Sequence, residues 1–491
     1  MAAEVPVRAG TFEAGQVVDG FRLEEHLHRG GMANLWRVTR TEPEARGLPV
    51  LPLIMKVPRI MGGDDPATIV GFEVEQMIMP ALRGPHVPKF IAQGDFTRVP
   101  YIVMERIDGV SLRSRFDAAP LPIDEIVEIG WKVATALHDL HRQHVVHLDV
   151  KPSNIMFRPV ASGDRGEAVL IDFGLSRHDQ LPDLLEEEFE LPMGTAPYMS
   201  PEQVRFIRND PRSDLFSLGV LLYHLTTGGR PFGAPASVRG LRRRLYRDPV
   251  PPRALRADCP PWLQELILRC LEVDPERRHQ TAAQLAFDLQ HPDQVTLTER
   301  AVRMLPNGTL KVMQRWFAAI GHEGKAKVGA AERTVKSPIV LAAVDLTGAE
   351  PALLESVRHT VQRLLQTESG ARLACVNVMK INRIGMDELV GVDGTSKHLS
   401  LLLQLKHWAR AVVQSEGAGH GAAGRVTFHV LEAPDPAAAI IDYARKNRVD
   451  HIVMGARSSG GLRRYLGSVS ARVVVEADCT VTVVRAVSSA G

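Results

Sequence analysis

Two short segments of the chain bring carboxylate, amide and lysine side chains together at close spacing. Residues 147–154 read HLDVKPSN and follow a helical pattern and a pair of valines, and residues 171–174 read IDFG and follow an apolar run. Phosphoryl transfer needs phosphates that are held, a metal that neutralises their charge, and an acceptor hydroxyl that is aimed. Oxygen donors of this kind suit magnesium. The two segments are therefore candidates for one phosphoryl-transfer site.

Further fragments surround these segments in a regular order. They are 54–57 (IMKV), 72–77 (FEVEQM), 101–109 (YIVMERIDG), 193–202 (MGTAPYMSPE), 213–219 (SDLFSLG) and 274–278 (DPERR). Each fragment alone is a weak signal, but in this order the set resembles the serine/threonine protein kinase family. The resemblance implies a two-lobed α+β kinase fold over residues 21–291, with a small lobe at about 21–104 and a large lobe at about 108–291. Residues 1–20 are then an N-terminal tail.

The resemblance implies a role for several residues of these segments. Asp149 would accept the proton of the substrate hydroxyl, and Lys151 would steady the transferred phosphate. Asn154 and Asp172 would bind magnesium, so the implied cofactors are ATP and Mg2+. Thr195 would belong to the substrate-docking segment beside Asp149.

The small lobe supplies the expected phosphate contact. Lys56 is the one lysine of a strand pattern, and by resemblance it grips the α- and β-phosphates. A helix glutamate orients such a lysine, and Glu75 fits the register better than Glu73. The buried ion pair of the large lobe is expected between Glu202 and Arg278, with Asp214 as a further structural residue.

The adenine and phosphate contacts are expected from two other stretches. In the hinge between the lobes, Met104 would be the gatekeeper, and the backbones of Glu105 and Ile107 would meet adenine. The glycine-rich loop of the family corresponds to residues 27–35, LHRGGMANL. His28 and Ala33 stand where the family has its first and third glycines, and a plain β-turn is the alternative reading. The expected nucleotide contacts of this stretch are Leu27, Gly30, Gly31 and Leu35.

The metal loop is residues 171–174 and the docking segment is residues 193–202. The stretch between them differs from the corresponding stretch of kinases that are switched by phosphorylation. Leu148 replaces the arginine that most kinases place before the catalytic aspartate, and residues 177–194 contain no Ser, Thr or Tyr but several acidic residues. We therefore expect activity without phosphorylation of this segment. One carboxylate would order the segment by meeting a basic side chain of the small lobe. The alternative is a solvated acidic loop.

The composition is that of a soluble globular protein. Hydrophobic residues make up 45% and charged residues 24%, with a formal net charge of +2, so nothing global indicates nucleic acid or a membrane surface. The four cysteines are scattered without metal-ligand spacing, which favours a reducing compartment. No secretory signal and no apolar run of membrane-spanning length is present. These observations predict a cytoplasmic protein.

A second domain is predicted beyond residue 336. Short β-branched runs alternate with helical patterns, which indicates a parallel sheet covered on both faces. Residues 344–347 (VDLT), 454–461 (MGARSSGG) and 467–470 (GSVS) resemble the universal stress protein family, which implies a five-stranded doubly wound parallel α/β domain at 337–487. Residues 292–336 are expected to form a partly helical linker, with a helix at 310–320.

The glycine loop of this second domain is a potential phosphate site because it opens a helix. The expected contacts are Asp345, Gly455, Gly461, Gly467 and Ser468. The ligand would be ATP or AMP, although Ser458 replaces one glycine of the family pattern and the spacer to Gly467 is one residue shorter. The alternative is a ligand-free regulatory or dimerising module, whose apolar last strand would pair in a homodimer.

The sequence therefore predicts a serine/threonine kinase that phosphorylates protein substrates in stress signalling. Regulation or assembly would pass through the C-terminal domain. The alternative is a catalytically dead, nucleotide-binding scaffold, which the altered glycine loop and Leu148 favour. The set formed by Lys56, Glu75, Asp149 and Asp172, with Asn154, argues against that alternative.

Overall fold

The computed structural model describes residues 12–29, 33–41, 51–59, 66–94, 100–159, 165–189, 191–306, 308–320, 338–368, 370–381, 396–415, 425–456 and 467–486. Its first strands are β1 (Val17–Val18), β2 (Phe21–Arg29), β3 (Ala33–Arg40), β4 (Leu53–Pro58), β5 (Phe90–Gly94) and β6 (Tyr101–Glu105), and helix α1 (Pro66–Ile78) follows β4. The strands form a six-stranded antiparallel sheet in the order β1-β2-β3-β4-β6-β5. The sheet thus begins within the segment that the sequence assigns to a tail.

Alternation along β4 determines which of its side chains faces the cleft. Met55 and Val57 are buried in a core with Leu23 and Val103. Successive side chains of a strand point to opposite faces, so Lys56 lies on the face away from this core.

The next part of the chain is mainly helical. Its helices are α2 (Leu112–Asp117), α3 (Ile123–His141), α4 (Leu184–Glu188), α5 (Pro201–Val204), α6 (Arg212–Thr227), α7 (Val238–Leu241), α8 (Pro252–Leu255), α9 (Pro261–Cys270) and α10 (Ala282–Gln290). Its strands are β7 (Val110–Ser111), β8 (Val145–Val146), β9 (Ile155–Pro159), β10 (Arg165–Leu170) and β11 (Arg177–His178). The large core of this part surrounds α3 and α6.

Two small antiparallel sheets bring the candidate loops together. Residues 147–154 lie between β8 and β9, and residues 171–176 lie between β10 and β11. Strand β9 pairs with β10 so that Ile155 lies opposite Leu170, and β8 pairs with β11. Both loops therefore leave the paired strands at the same end.

The predicted helix of the linker is confirmed. After α11 (Glu299–Val302), α12 spans Thr309–Ile320. This region packs against the large lobe, because Gln264 Nε2 donates to Arg300 O at 2.7 Å and Arg315 Nη1 donates to Asp248 Oδ1 at 2.6 Å.

The C-terminal domain is a doubly wound parallel sheet, as predicted. It contains β12 (Ile339–Ala343), α13 (Pro351–Thr367), β13 (Arg372–Lys380), α14 (Lys397–Ser415), β14 (Val426–Ala433), α15 (Pro436–Asn447), β15 (His451–Gly455), α16 (Ser468–Glu476) and β16 (Thr480–Val484). The strand order is β14-β13-β12-β15-β16, and every pairing is parallel. Val340 and Ala342 pack under α13 and α14, whereas Leu341 and Ala343 pack under α15 and α16, so both faces are covered.

Candidate active site

The lysine of β4 lies between two carboxylates. Lys56 Nζ donates to Glu75 Oε2 at 2.5 Å and to Asp172 Oδ1 at 2.9 Å. Burial opposes the charge of Lys56, but Asp172 and Glu75 outweigh burial and raise the pKa of the lysine above its ordinary value. The Lys56 charge lowers the pKa of Asp172 to about 2. Glu75 rather than Glu73 makes this contact, and the three groups join β4, α1 and the metal loop.

The metal loop is held close to α1. Asp172 has a left-handed backbone with φ 68°, and Phe173 beside it is fully buried. A Cβ added to Gly71 of α1 would lie 3.0 Å from Gly174 O, and one added to Gly174 would lie 3.2 Å from Gly71 O. The two backbones approach this closely because both residues are glycine. A shift of α1 would therefore also displace the Asp172 loop.

Four groups surround the Asp149 carboxylate. Thr195 Oγ1 donates to Asp149 Oδ1 at 2.6 Å and Thr195 N at 3.1 Å, while Lys151 Nζ donates to Oδ2 at 2.6 Å. Asn154 Nδ2 donates to the same Oδ2 at 3.1 Å. Both oxygens of Asp149 therefore accept hydrogen bonds, as the oxygens of a carboxylate that is to take up a proton should. Lys151 also reaches Thr195 Oγ1 at 3.2 Å.

The loop that carries Asp149 is strained and held by Asp214. Leu148 has a φ of 61°, which is uncommon for a residue with a branched side chain. Asp214 Oδ1 accepts from Leu148 N at 2.8 Å, and Asp214 Oδ2 accepts from His147 N at 2.8 Å and approaches His141 Nε2 at 2.9 Å. Because Asp214 is fully buried, its carboxylate has no water to replace these donors. This contact holds the strained backbone in place.

The donor set at Asp172 and Asn154 fits a magnesium ion. Asp172 Oδ1 faces Lys56, and 41% of the side chain is exposed, so one side of the carboxylate remains open. Asn154 turns its Nδ2 toward Asp149, which leaves Oδ1 directed elsewhere, within 3.3 Å of Ser153 Oγ. Ile171 N donates to Asn154 O at 3.0 Å and links the two loops. An ionised carboxylate and an amide oxygen are ligands that magnesium accepts.

The predicted nucleotide residues lie along the same sheet. Met104 on β6 is buried opposite Ile54 of β4, and Ile107 is buried just beyond β6. Glu105 accepts from Arg158 Nη2 at 3.2 Å, a contact that joins the hinge to β9 and raises the pKa of the arginine. The remaining residues of the glycine-rich stretch are Leu27 on β2 and Leu35 on β3, whereas Gly30 and Gly31 lie outside the described residues.

The docking segment is fastened to the large lobe as the sequence predicts. Arg278 Nη1 and Nη2 donate to the two Glu202 oxygens at 2.9 Å each, and both side chains are buried. Gln203 Nε2 donates to Leu148 O at 2.7 Å and to Met193 O at 3.1 Å. The docking segment and the Asp149 loop therefore form one rigid unit with Thr195 between them.

The C-terminal sheet has a cavity at the carboxyl ends of its strands. Its volume is about 1020 Å3, and its lining includes Asp345, Gly455, Gly467 and Ser468 of the predicted set. Gly461 lies outside the described residues. Asn377 also lines the cavity; its Nδ2 donates to Val344 O at 2.9 Å, but its buried Oδ1 has no hydrogen-bond partner among the described residues.

Comparison with known proteins assigns both parts of the chain. Residues 68–291 match the protein kinase domain model and residues 337–485 match the universal stress protein family model. The serine/threonine-protein kinase PknL of Mycobacterium bovis is 31% identical over 58% of this chain and 69% of its own length. The chain belongs to the serine/threonine protein kinase family. The stress protein domain at its C-terminus follows the kinase domain.

A further relative and a solved structure are also similar to this kinase chain. PknB of Mycolicibacterium smegmatis is 34% identical over 55% of this chain and 42% of its own length, so the chain spans less than half of that relative. A solved kinase domain, that of Mycobacterium tuberculosis PknI, is 24% identical over 57% of this chain and 99% of that one, with a TM-score of 0.43. Within the part of the kinase that the structure describes, no helix combines the length and apolar character needed to span a membrane.

The acidic segment of this kinase differs from the sequence expectation. Glu187 and Glu188 of α4 are buried, which contradicts the alternative of a solvated loop for this helix. The sequence predicts a basic partner in the small lobe, but their partners Arg372, His398 and His429 belong to the stress protein domain. Sequence reasoning missed these residues. The available signal was His429, which interrupts the apolar strand pattern VTFHVLEA.

Proposed function

We propose that this chain is an active, ATP- and magnesium-dependent serine/threonine protein kinase. The observation that carries the proposal is the double contact of Lys56 Nζ with Glu75 and Asp172 in a structure where Asp149 is also surrounded by donors. This arrangement supports an assembled site rather than a catalytically dead scaffold, because Lys56 contacts both Glu75 and Asp172 and Asn154 contacts Asp149.

The residues would divide the reaction as follows. The oxygen of the substrate hydroxyl forms a bond to the γ-phosphorus, and the bond between the γ-phosphorus and the bridging oxygen of the β-phosphate breaks. Asp149 takes the proton of this hydroxyl. Lys151, 2.6 Å from Asp149, is placed to neutralise the transferring phosphoryl group. Lys56 would bind the α- and β-phosphates, and Asp172 with Asn154 would hold the magnesium. Bound magnesium would neutralise charge that develops on the phosphate oxygens.

Purified full-length protein incubated with labelled ATP, magnesium and myelin basic protein tests this function. We expect phosphoserine and phosphothreonine in the acceptor, and no transfer when EDTA removes the magnesium. A folded protein that binds ATP but transfers no phosphate would favour the scaffold alternative.

We further infer that the stress protein domain binds ATP or AMP in its cavity. Three features support this ligand: the start of α16 at Gly467 and Ser468 offers backbone N–H groups, Asp345 is part of the cavity lining, and the Asn377 oxygen lacks a partner among the described groups. The phosphate of a nucleotide would accept from the N–H groups of α16, and its hydrogen-bond donors would meet Asp345 and the Asn377 oxygen. Equilibrium dialysis of full-length protein with labelled AMP tests the site, because AMP lacks the β- and γ-phosphates and keeps only one of the two phosphates expected to contact Lys56.

The remaining proposals concern organisation and location. We place the kinase domain at 21–291, with strand β1 of the preceding segment joined to its sheet, the linker at 292–336 and the stress protein domain at 337–487. We further propose that this is a cytoplasmic protein of stress signalling. Strand β16 lies at the edge of the C-terminal sheet, so its outer backbone groups are available to pair in a homodimer. Light scattering of the purified protein measures the oligomeric state directly.

A further inference from the structure

The stress protein domain packs against the two elements that set the geometry of the kinase site. Helix α4 lies in the segment between the Asp172 loop and the docking segment, and α1 carries Glu75. Buried apolar side chains of all these parts belong to one hydrophobic cluster. Its members include Ile69 and Phe72 of α1, Leu184 and Leu185 of α4, Leu399 and Leu402 of α14, and Val430 of β14. The interface is therefore continuous with the core of the kinase domain.

Polar contacts fix α4 on this surface. Arg372 Nη2 donates to the Glu187 oxygens at 2.6 and 2.7 Å, and Tyr443 Oη donates to Glu187 Oε2 at 3.2 Å. His429 lies between the two glutamates, with Nε2 3.1 Å from Glu187 and Nδ1 3.4 Å from Glu188. These contacts come from the edge strand β14, its neighbour β13 and helix α15, so three elements of the C-terminal domain contribute to them.

The charges of this cluster depend on the docked domain. Burial disfavours a charged Glu187, but His429 and Arg372 outweigh burial and lower its pKa to about 2. Burial raises the pKa of Glu188, although His429 and His398 act in the opposite direction. If the stress protein domain moved away, Glu187 and Glu188 would lose these cationic partners and meet water instead. Helix α4 would then keep only its contacts within the kinase domain, such as Asp183 with Arg208.

A second contact reaches the helix that orients Lys56. Lys406 of α14 forms an ion pair with Glu73 of α1, and both side chains are mostly buried. Glu73 lies two residues before Glu75, and α1 also meets the metal loop where Gly71 faces Gly174. Lys406 therefore acts on the same rigid helix that brings Glu75 to Lys56.

We propose that the stress protein domain is a built-in activator whose surface binds the acidic helix α4 and the helix α1 of its own chain. Glu187 and Glu188 take the place of a phosphate group, and Arg372, His429 and Lys406 are positioning residues for phosphoryl transfer. The inference rests on the proposed kinase function and deepens it, because it assigns the regulation of that site to this interface.

A charge swap at the Lys406–Glu73 pair in the full-length protein tests the proposal. The variants are Lys406→Glu, Glu73→Lys and the double variant, and Arg445→Ala is the control. Arg445 lies on α15 beside the interface, but it pairs with Asp478 of its own domain at 2.9 Å. Two readouts are used: kcat and KM for ATP with myelin basic protein, and hydrogen exchange of residues 66–78 and 181–189.

We expect each single variant to lower kcat about tenfold, within the range typical of coupling between sites, and to raise hydrogen exchange in both segments. The double variant should recover kcat to within about twofold, and the control should match wild type. Circular dichroism and melting curves identify a variant that fails to fold.

Three results would overturn the proposal: single variants with wild-type kcat whether or not their exchange is raised, single variants faster than wild type, or a folded double variant without recovery. If wild type transfers no phosphate, the proposed kinase function fails, and activation fails with it. The exchange data would then still show whether the domain holds α1 and α4.

Discussion

The kinase cleft and the cavity of the stress protein domain differ in how their polar groups are satisfied. In the cleft, Lys56, Glu75 and Asp172 already satisfy one another within 2.9 Å, and Asp149 has four donors. In the cavity, about 1020 Å3 is bounded largely by apolar side chains and backbone, and the Asn377 oxygen has no partner among the described residues. The cleft is preorganised by charge, whereas the cavity would be completed by its ligand. Loss of one charged group should therefore impair catalysis strongly, whereas a side chain that fills the cavity should exclude its ligand with little effect on catalysis.

The largest effect is expected from the two aspartates of the cleft. Asp149→Asn and Asp172→Asn should each lower kcat by at least about a hundredfold, because one loses the proton acceptor and the other a magnesium ligand. Initial rates at saturating ATP measure the loss, and AMP binding at the cavity should not change. An Asp149→Asn enzyme that keeps more than about a tenth of wild-type turnover would contradict the role of this residue.

The interface between the two regions should make stability depend on pH. Burial opposes the charge of His429, but Glu187 and Glu188 outweigh it and raise its pKa to about 9, against the ordinary value of 6.5. Because its pKa is raised in the folded state, charged His429 stabilises the folded protein fully below about pH 6.5. This contribution is lost as the pH rises through about 9.

Urea unfolding at pH 6.5 and pH 9 measures this dependence. Arg372, His398 and Tyr443 also face the cluster, so the comparison is made with His429→Gln, which leaves those groups in place. Between pH 6.5 and pH 9, we expect the free energy of unfolding of wild type to fall by up to about 3 kcal/mol more than that of the variant. Equal losses in the two proteins would show that His429 is not charged in the docked state.

A smaller effect is expected from closing the cavity. Gly467→Val places a side chain where the start of α16 would approach a phosphate. Full-length wild type should bind two ATP molecules and this variant one, with kcat changed less than about twofold. Isothermal titration gives the stoichiometry, and a wild-type stoichiometry of one would favour a ligand-free domain.

The smallest effect is expected from phosphatase treatment. Residues 177–194 contain no phosphorylatable hydroxyl, and Leu148 cannot bind a phosphate, so the initial rate should change less than about twofold. A tenfold fall that is reversed by autophosphorylation within residues 172–202 would show that a phosphate is needed after all.

The parts predicted best from the sequence are those with a local signature. The lysine of β4 and the loops of Asp149 and Asp172 each have a distinctive pattern, and the strand–helix alternation beyond residue 336 predicts the parallel sheet. The register that selects Glu75 over Glu73 also came from the pattern, and the contact with Lys56 agrees with it.

The interface could not be predicted in this way. Glu187 meets Arg372 across 185 residues of sequence, and neither residue belongs to a motif. Their contact depends on how two independently patterned domains dock, which is a property of tertiary packing. An acidic run is consistent with either a cationic partner or a solvated loop, and it does not indicate where a partner would lie.

The covalent connection between the domains sets how strong their interface needs to be. Helix α12 ends at Ile320 and β12 begins at Ile339, so the 18 residues between them limit the separation of these ends to roughly 60–70 Å. One domain confined to a sphere of that radius has an effective concentration on the order of 1 mM. An interface with a dissociation constant of about 0.1 mM would then be closed about nine times in ten. The same two domains mixed as separate chains at micromolar concentration would hardly associate, and a ligand that weakens the interface by about a hundredfold would open it.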